Sequence, residues 1–225
     1  MGKMVEFNSH TVDVTTFHNA LAVWGTTHFR PFPWRFTQDP YQILVAEIML
    51  HRTQARQVVP VYNKFLKRYP ELTDLAQATR EELYDVLHSL GLRWRIDLIH
   101  EMVDILINKY GSRIPEEKEK LLSLPGVGDY IASAVRCFAW NYQEALVDTN
   151  TVRVIARLFG LAIKDSLRRN SRFQRLMTFL VDCKNPRVYN YALLDLADAV
   201  CMRRRAPDCD GCPVQGVCSH GRYKR

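Results

Sequence analysis

Several kinds of segment are missing from this chain of 225 residues. No apolar run approaches the roughly 20 residues that a membrane-spanning helix needs, so we expect no membrane association. The opening residues, MGKMVEFNSH, lack the apolar core of a signal peptide, and we expect an intracellular protein. Internal repeats, low-complexity tracts and convincing strand patterns are also missing, whereas helical periodicity recurs along the chain. The sequence therefore predicts an all-α globular protein.

Acidic residues are in short supply. The chain has 24 Asp and Glu against 31 Lys and Arg, which gives a net charge of +7. This balance favours a polyanionic partner such as nucleic acid, although a merely basic protein would have the same composition. Hydrophobic residues make up 47% of the chain, which is enough for one large domain or two small lobes with a core.

Cysteine is concentrated near the end of the chain. Four of the six cysteines fall within eighteen residues. They are Cys201, Cys209, Cys212 and Cys218. In an intracellular protein such a group indicates a metal centre rather than disulfides, and the spacing by itself favours zinc over an iron–sulfur cluster. The other two, Cys137 and Cys183, lie in helical patterns and are predicted to be buried.

A tight turn between two predicted helices stands at the centre of the chain, in the segment Leu124-Pro125-Gly126-Val127-Gly128. Pro125 ends the first helix, and Gly126 and Gly128 permit positive φ and a close backbone approach. The next helix would then offer free N–H groups to an anion such as phosphate. An ordinary helix–helix turn is the alternative.

Two carboxylates are candidates for chemistry, and each has an ordinary structural alternative. Asp148 follows an apolar stretch and precedes a predicted helix, so it either caps that helix or faces an opening and reacts. Glu47 lies inside a helix, predicted over Pro40 to Arg52, that is apolar nearly all round. A carboxylate buried there costs several kcal/mol unless it is paired, so Glu47 is either a satisfied core residue or a functional acid.

The spacing from the glycine turn to Val147-Asp148 resembles that of the helix-hairpin-helix DNA glycosylases, the superfamily of endonuclease III and MutY. The segment VAEIMLHRTQ around Glu47 is similar to VSEIMLQQTQ of the adenine glycosylases. The resemblance implies an all-α fold of two helical lobes. Residues 37–142 would form a six-helix barrel that carries the hairpin. Residues 1–36 and 143–225 would form a lobe of N- and C-terminal helices with a C-terminal iron–sulfur cluster loop.

The same resemblance implies roles for individual residues. Asp148 would be the catalytic carboxylate, Asn150 would hydrogen-bond it, and Glu47 would serve as acid and base toward the leaving base. His51 and Arg52 replace two glutamines of the family, and an arginine here suits a guanine on the opposite strand. The remaining expected DNA contacts are Gly126, Val127, Gly128, Gln54, Arg93, Arg95, Arg203, Arg204 and, as a wedge pushed into the base stack, Leu92.

The cysteine spacing also resembles the family, which carries C-x6-C-x2-C-x5-C around a 4Fe–4S cluster. This chain has one more residue in the first gap. The resemblance implies that the four cysteines hold such a cluster, with zinc as the less favoured occupant.

Tyr130 separates the subfamilies. Endonuclease III-type enzymes have a lysine two residues after the second hairpin glycine, and its amine attacks the sugar and cuts the strand. Tyrosine is a much poorer nucleophile at neutral pH. Tyr130 together with Arg52 resembles the Mig-type thymine-DNA mismatch glycosylases, although those carry a basic residue where this chain has Asp129.

We therefore expect a monofunctional DNA glycosylase of base excision repair. It would act as a monomer on double-stranded DNA and remove thymine or uracil mispaired with guanine. One alternative is a MutY-like adenine glycosylase acting on A opposite G or 8-oxoguanine. Two others are a non-catalytic iron–sulfur DNA-binding protein and a zinc-stabilised helical interaction module.

Overall fold

The computed structural model describes residues 2–91, 95–203 and 205–222. Helices dominate, which confirms the all-α class, and no described helix is long and apolar enough to cross a membrane. The elements are β1 (Met4–Phe7), β2 (His10–Asp13), α1 (Val14–His28), α2 (Pro40–Leu50), α3 (Ala55–Arg68), α4 (Leu72–Leu75), α5 (Arg80–Leu87), α6 (Ile96–Tyr110), α7 (Lys118–Leu122), α8 (Asp129–Trp140), α9 (Thr149–Leu158), α10 (Ser171–Leu180), α11 (Pro186–Ala199) and α12 (Ser219–Arg222).

The chain folds into two compact units. One, the continuous unit, runs from Pro31 to Trp140. The other, the discontinuous unit, joins the residues up to Arg30 to those from Asn141 onward. Both boundaries lie a few residues before the positions, 37 and 143, that the sequence predicted.

A two-stranded antiparallel hairpin opens the discontinuous unit, and the expectation of no strand is wrong at this point. Strands β1 and β2 pair with Phe7 opposite His10. The turn residues Asn8 and Ser9 have φ of 48° and 66°, the signs that a two-residue hairpin turn requires. The ring of Phe7 packs edge-on against Phe159 and Phe173, with centroid distances of 6.1 and 6.2 Å. These tertiary contacts fix a hairpin whose local sequence lacks a glycine turn.

The core of the discontinuous unit is assembled from distant parts of the chain. Helix α1 packs on α11, and α11 in turn packs on α9. Buried Phe17 and Leu21 of α1 share one apolar cluster with Ile155 of α9 and Leu196 of α11. Helix α9 is therefore anchored in the core of this unit.

Helix α2 is the buried centre of the continuous unit. It begins as predicted, because Asp39 accepts a hydrogen bond from the backbone N–H of Tyr41 at 2.8 Å and Pro40 occupies the first helical position. Every residue from Ile43 to Met49 is buried, and α2 packs against α3 and α8. The apolar surface all round this helix is thus explained by neighbours on several sides.

Helix α5 also begins at a side-chain cap. Thr79 and Glu82 form the reciprocal capping box of α5, with distances of 2.9 and 3.2 Å between each side chain and the other residue's N–H. Cys137 is buried in α8 as predicted. The prediction is wrong for Cys183, which is exposed in the connection between Leu180, the end of α10, and Pro186, the start of α11.

Candidate active site

Asp148 caps helix α9 and is only half-buried. Its Oδ1 accepts hydrogen bonds from the backbone N–H groups of Asn150 and Thr151 at 2.9 and 2.7 Å. Its Oδ2 accepts from the side-chain amide of Asn150 at 2.9 Å. Asp148 is therefore a helix cap, as one of the two alternatives predicted, and its carboxylate is at the same time partly exposed. The cap and the amide of Asn150 fix a partly exposed carboxylate in one orientation.

Asn150 is itself held from behind by a buried arginine. The Nη1 of Arg153 donates to the Oδ1 of Asn150 at 3.1 Å, which directs the amide N–H of Asn150 toward Asp148. Arg153 also donates from Nε to the carbonyl oxygen of Cys201 at 2.7 Å and from Nη2 to that of Ala197 at 2.8 Å. A continuous line of hydrogen bonds therefore joins the first cysteine of the cluster motif to the carboxylate of Asp148.

The four cysteines of the motif line one cavity. Cys201, Cys209, Cys212 and Cys218 surround it together with apolar residues of α9 and α11. Arg157 donates from Nη1 to the Sγ of Cys201 at 3.2 Å, so a positive charge lies beside the first cysteine of the motif. The extra residue in the first cysteine gap lies in the irregular segment between α11 and Cys209. The ligand set and its surroundings fit a four-thiolate centre.

The thiols are not drawn together as an assembled metal group. Among the described residues, no three His, Cys, Asp or Glu side chains are placed to hold an ion as they stand. Burial raises the pKa of Cys212 to about 11, and the neighbouring thiols act in the same direction. Burial also raises the pKa of Cys218. Burial thus disfavours the thiolate form of these two residues, and a bound cation would favour it.

In the continuous unit, Glu47 and Tyr130 lie on neighbouring helices. Glu47 is 4% exposed near the end of α2, so it is a buried carboxylate as the apolar pattern predicted. Tyr130 is the second residue of α8 and is half-buried. Because α2 packs against α8, the fold brings the two helices that carry these side chains together.

The two glycines of the turn, which the sequence predicted to contact the DNA backbone, differ in conformation and surroundings. Gly126 has a φ of +78°, which only glycine adopts at little cost, whereas Gly128 does not need positive φ. A Cβ added at Gly128 would meet no atom within 4 Å, so the surface before α8 is open to an approaching group. Val127 between them is buried and anchors the turn.

His51 and Arg95 lie beside this turn, around a cavity of about 100 Å³ that Pro125 and Gly126 also line. Arg95 is 6% exposed, and its guanidinium donates to the carbonyl oxygens of Ile48 and His51 and to the Nδ1 of His51. Burial lowers the pKa of His51, and the charges of Arg95 and Arg52 act in the same direction. A DNA contact from Arg95 would thus come from a side chain that already holds the end of α2.

The other predicted DNA contacts fall in three groups. Arg52 and Gln54 lie exposed in the loop between α2 and α3, and Arg52 has a φ of +63°, rare for a residue with a side chain. Arg203 is exposed in the loop before Cys209. The predicted contacts at Leu92, Arg93 and Arg204 lie outside the described residues.

Arg153 and Arg157 contact candidate site residues, and neither was predicted to do so from the sequence. Both stand in α9 among Val152, Val154 and Ile155, which are buried. A charged residue within a buried apolar run is rarely tolerated without partners, so the two arginines were visible as candidates for paired groups. What the sequence could not reveal is that their partners belong to the cluster loop and to Asn150.

Known proteins resemble this chain over most of its length. The model of the HhH-GPD superfamily base excision DNA repair proteins matches residues 45–177. The chain is 36% identical over 201 residues to the thymine/uracil-DNA glycosylase of Methanothermobacter thermautotrophicus, which covers 89% of this chain and 90% of that protein. It is 40% identical over 195 residues to the thymine-DNA glycosylase of Aeropyrum pernix, and the match covers 84% of this chain and 86% of that protein.

A solved structure agrees with these relatives. The structure of a thermostable thymine-DNA glycosylase matches the fold with a TM-score of 0.87 at 34% identity, covering 93% of this chain and 97% of that one. The residues matched by the family model include the hairpin, Asp148 and the helix that follows. This chain belongs to the HhH-GPD superfamily of base excision DNA repair proteins.

Proposed function

We propose that this protein is a monofunctional DNA glycosylase that acts as a monomer and removes thymine or uracil mispaired with guanine in double-stranded DNA. The observation that carries the proposal is the likeness, over nearly their whole length, to relatives named thymine/uracil-DNA and thymine-DNA glycosylases. The oriented carboxylate of Asp148 and the tyrosine at position 130 support it.

The reaction is hydrolysis of the N-glycosidic bond. The bond between base and C1′ breaks with its electron pair leaving on the base, and the sugar becomes an oxocarbenium ion. Asp148 faces that cation with a carboxylate whose orientation the Asn150 amide and two backbone N–H groups fix. Such preorganised charge lowers the barrier without reorganisation at the moment of reaction. Water adds to C1′ and its proton is taken up by Asp148 or solvent, which leaves an abasic site.

Two residues of the continuous unit complete the proposal. Glu47 contacts the departing base, directly or through water, and supplies the proton that the base requires. Tyr130 packs against the sugar and, having no amine, forms no Schiff base, so the strand stays intact. Base flipping costs a few kcal/mol and less at a mismatch, and this difference gives selectivity.

The four cysteines hold a 4Fe–4S cluster in this proposal. Cys201, Cys209, Cys212 and Cys218 supply an all-thiolate ligand set in one cavity. The cluster, when bound, cross-links the loop after α11 and gives no chemistry to the glycosidic bond. Brown colour with a charge-transfer absorbance band and equal amounts of iron and sulfide supports this assignment. A colourless protein with one zinc ion per chain contradicts it.

A single-turnover assay on duplexes that differ in one pair tests the base specificity. The pairs are G·T, G·U, G·A, 8-oxoG·A and thymine glycol·A, each read with and without alkali. Release of thymine and uracil opposite guanine, with strand cutting only after alkali, is the expected result. Release of adenine would favour the MutY-like alternative, and no release from any duplex would favour a non-catalytic DNA-binding protein.

Asp148→Asn tests the catalytic carboxylate, because asparagine can also cap a helix. We expect excision to fall by about 10²-fold or more while DNA binding stays intact. The matched control is Asp13→Asn, which makes the same change at the cap of α1, where Asp13 accepts from the N–H groups of Thr15 and Thr16. If both variants lose excision and DNA binding alike, Asp148 has only a structural role.

Tyr130→Lys tests the position of that side chain. A lysine amine at the sugar should convert part of the product to nicked strand without alkali, and borohydride should trap the Schiff base. Tyr130→Phe is the control, because it keeps the ring and adds no amine. Thymine release without nicking or trapping in the lysine variant would place residue 130 away from the sugar.

A further inference from the structure

A second basic site, the α9 pocket, lies in the discontinuous unit, and the mechanism above does not use it. It is a cavity of about 280 Å³. Among the described residues, its lining contains five cations and one carboxylate, Asp165. The five cations are Arg153, Arg157, Lys164, Arg168 and Arg203. Thr149, the residue that follows Asp148, also lies at its edge.

Most of these cations have donors to spare. Arg153 is committed to carbonyl oxygens and to Asn150, so it adds charge to the pocket rather than donors. Arg157 is only partly engaged, through Nη1. Lys164 and Arg168 are exposed and form no ion pair with any carboxylate in the described part of the chain.

Concentrating like charges around one cavity is unfavourable without an anion. Arg153 and Arg157 are four residues apart on α9, a spacing at which like charges repel. Exposed cations on a protein surface usually point apart into solvent, whereas these five side chains line one cavity.

The shape of the pocket limits what it can bind. Its volume lies just below the range of about 300–1,000 Å³ usual for small-molecule sites. No aromatic ring lines it among the described residues, so it lacks the rings on which proteins most often stack a nucleobase. The chemistry on offer is recognition of a single phosphate group by a guanidinium and ammonium cluster.

We propose that the α9 pocket binds a backbone phosphate of the DNA, as a second grip in addition to the glycine turn. The inference rests on the proposed function, since it assigns the phosphate to the DNA that carries the mispaired base. Arg203 extends the site toward the loop before Cys209, and Thr149 extends it toward Asp148. A phosphate held here would fix the strand against the end of α9 that presents the catalytic carboxylate.

The test compares two double variants that remove the same charge. Lys164→Gln/Arg168→Gln removes two pocket cations. Arg175→Gln/Lys184→Gln removes two exposed cations of the same unit that do not line the pocket. DNA affinity is measured for both and for the wild type between about 50 and 200 mM salt, on matched and G·T duplexes. Melting curves and cluster absorbance establish that each protein is folded.

One lost phosphate contact reduces the slope of log affinity against log salt by about 0.9. Over this fourfold salt range, the wild type should therefore lose about 3.5-fold more affinity than the pocket variant. The control variant should keep the wild-type slope. Equal slopes for the two double variants overturn the proposal.

Two further measurements distinguish a DNA phosphate from a free anion, and failure of the pocket proposal from failure of the proposed function. Calorimetry with inorganic tripolyphosphate reports a free-anion site. Pocket-dependent binding of tripolyphosphate with equal DNA slopes assigns the pocket to a free anion and overturns its assignment to DNA. Thymine release with equal slopes refutes the pocket alone. If the pocket variant has a smaller slope than the wild type but the wild type releases no thymine, the proposed function is refuted and the phosphate site remains supported.

Discussion

Arg153→Lys is the substitution that examines the line of hydrogen bonds from Cys201 to Asp148 most directly. It keeps the positive charge and most of the side-chain length while removing the planar fork. The arginine reaches three acceptors in different directions, at 2.7 Å to Cys201, 2.8 Å to Ala197 and 3.1 Å to Asn150. A single ammonium cannot satisfy all three, because its donors radiate from one atom.

The cost follows from the acceptors left without a donor. Arg153 is 4% exposed, so water cannot replace the lost bonds to the carbonyl oxygens of Ala197 and Cys201. A hydrogen bond to a charged group contributes about 1.5–3 kcal/mol, and we expect Arg153→Lys to lower stability by about 2–4 kcal/mol. For a chain of this size that corresponds to a fall in Tm of about 4–16 °C.

The assay combines melting with single-turnover excision. Asn150→Ala removes only the final link, at an exposed position, and should keep the wild-type Tm within about 2 °C while slowing excision about tenfold. Arg153→Lys should lower both quantities. Arg175→Lys, at an exposed arginine, should change neither by a measurable amount. A Tm for Arg153→Lys within about 2 °C of the wild type would show that the fork contributes little, and the reasoning would be wrong.

Three further predictions concern the glycine turn and the loop beside it. Gly126→Ala should lower the free energy of unfolding by about 1–2 kcal/mol, because φ at Gly126 is +78°. Gly128→Ala should keep the wild-type Tm and weaken DNA binding, because its methyl group enters the open surface before α8. Equal Tm values for the two variants would contradict this. Asp129→Asn should cost about 0.3–1 kcal/mol at the start of α8 and tighten DNA binding several-fold in a titration, because it removes an acid beside the predicted phosphate grip. The pKa of His51 is lowered in the folded state, so below about pH 6.5 the unfolded chain binds more protons and stability falls as pH falls. Arg52→Gln should raise the pKa of His51 in an NMR titration and flatten that dependence, and an unchanged titration would remove Arg52 as a cause.

The helices were predictable where local chemistry decides them. Asp39 and Pro40 at the start of α2, and the Thr79–Glu82 box of α5, are short-range signals that hold in any context. The β-hairpin was not predicted, because its turn residues, Asn8 and Ser9, include no glycine and the rings that Phe7 packs against are distant in the sequence. Tertiary contacts outweighed local preference there.

The candidate site divides in the same way. Asp148 and Gly126 could be identified because a cap and a positive-φ turn leave a mark in the sequence. The bonds that hold Arg153 on the carbonyl oxygens of Cys201 and Ala197, and the use of Arg95 to hold the end of α2, join residues more than 40 positions apart along the chain. Periodicity and spacing carry no information at that separation.

The discontinuous unit has a consequence for how the protein is made. During synthesis the continuous unit is complete once Trp140 has emerged, but α1 must wait for α11, which lies within the last 85 residues. The end of α11, Ala199, follows the end of α1, His28, by 171 residues (199 − 28), so at about 5–20 residues per second the apolar face of Phe17 and Leu21 remains uncovered on the ribosome for roughly 9–34 seconds. The chain's own order of translation therefore exposes α1 to chaperones and to misassociation. A circular permutant that places α1 after α12 should shorten that exposure and fold with fewer losses.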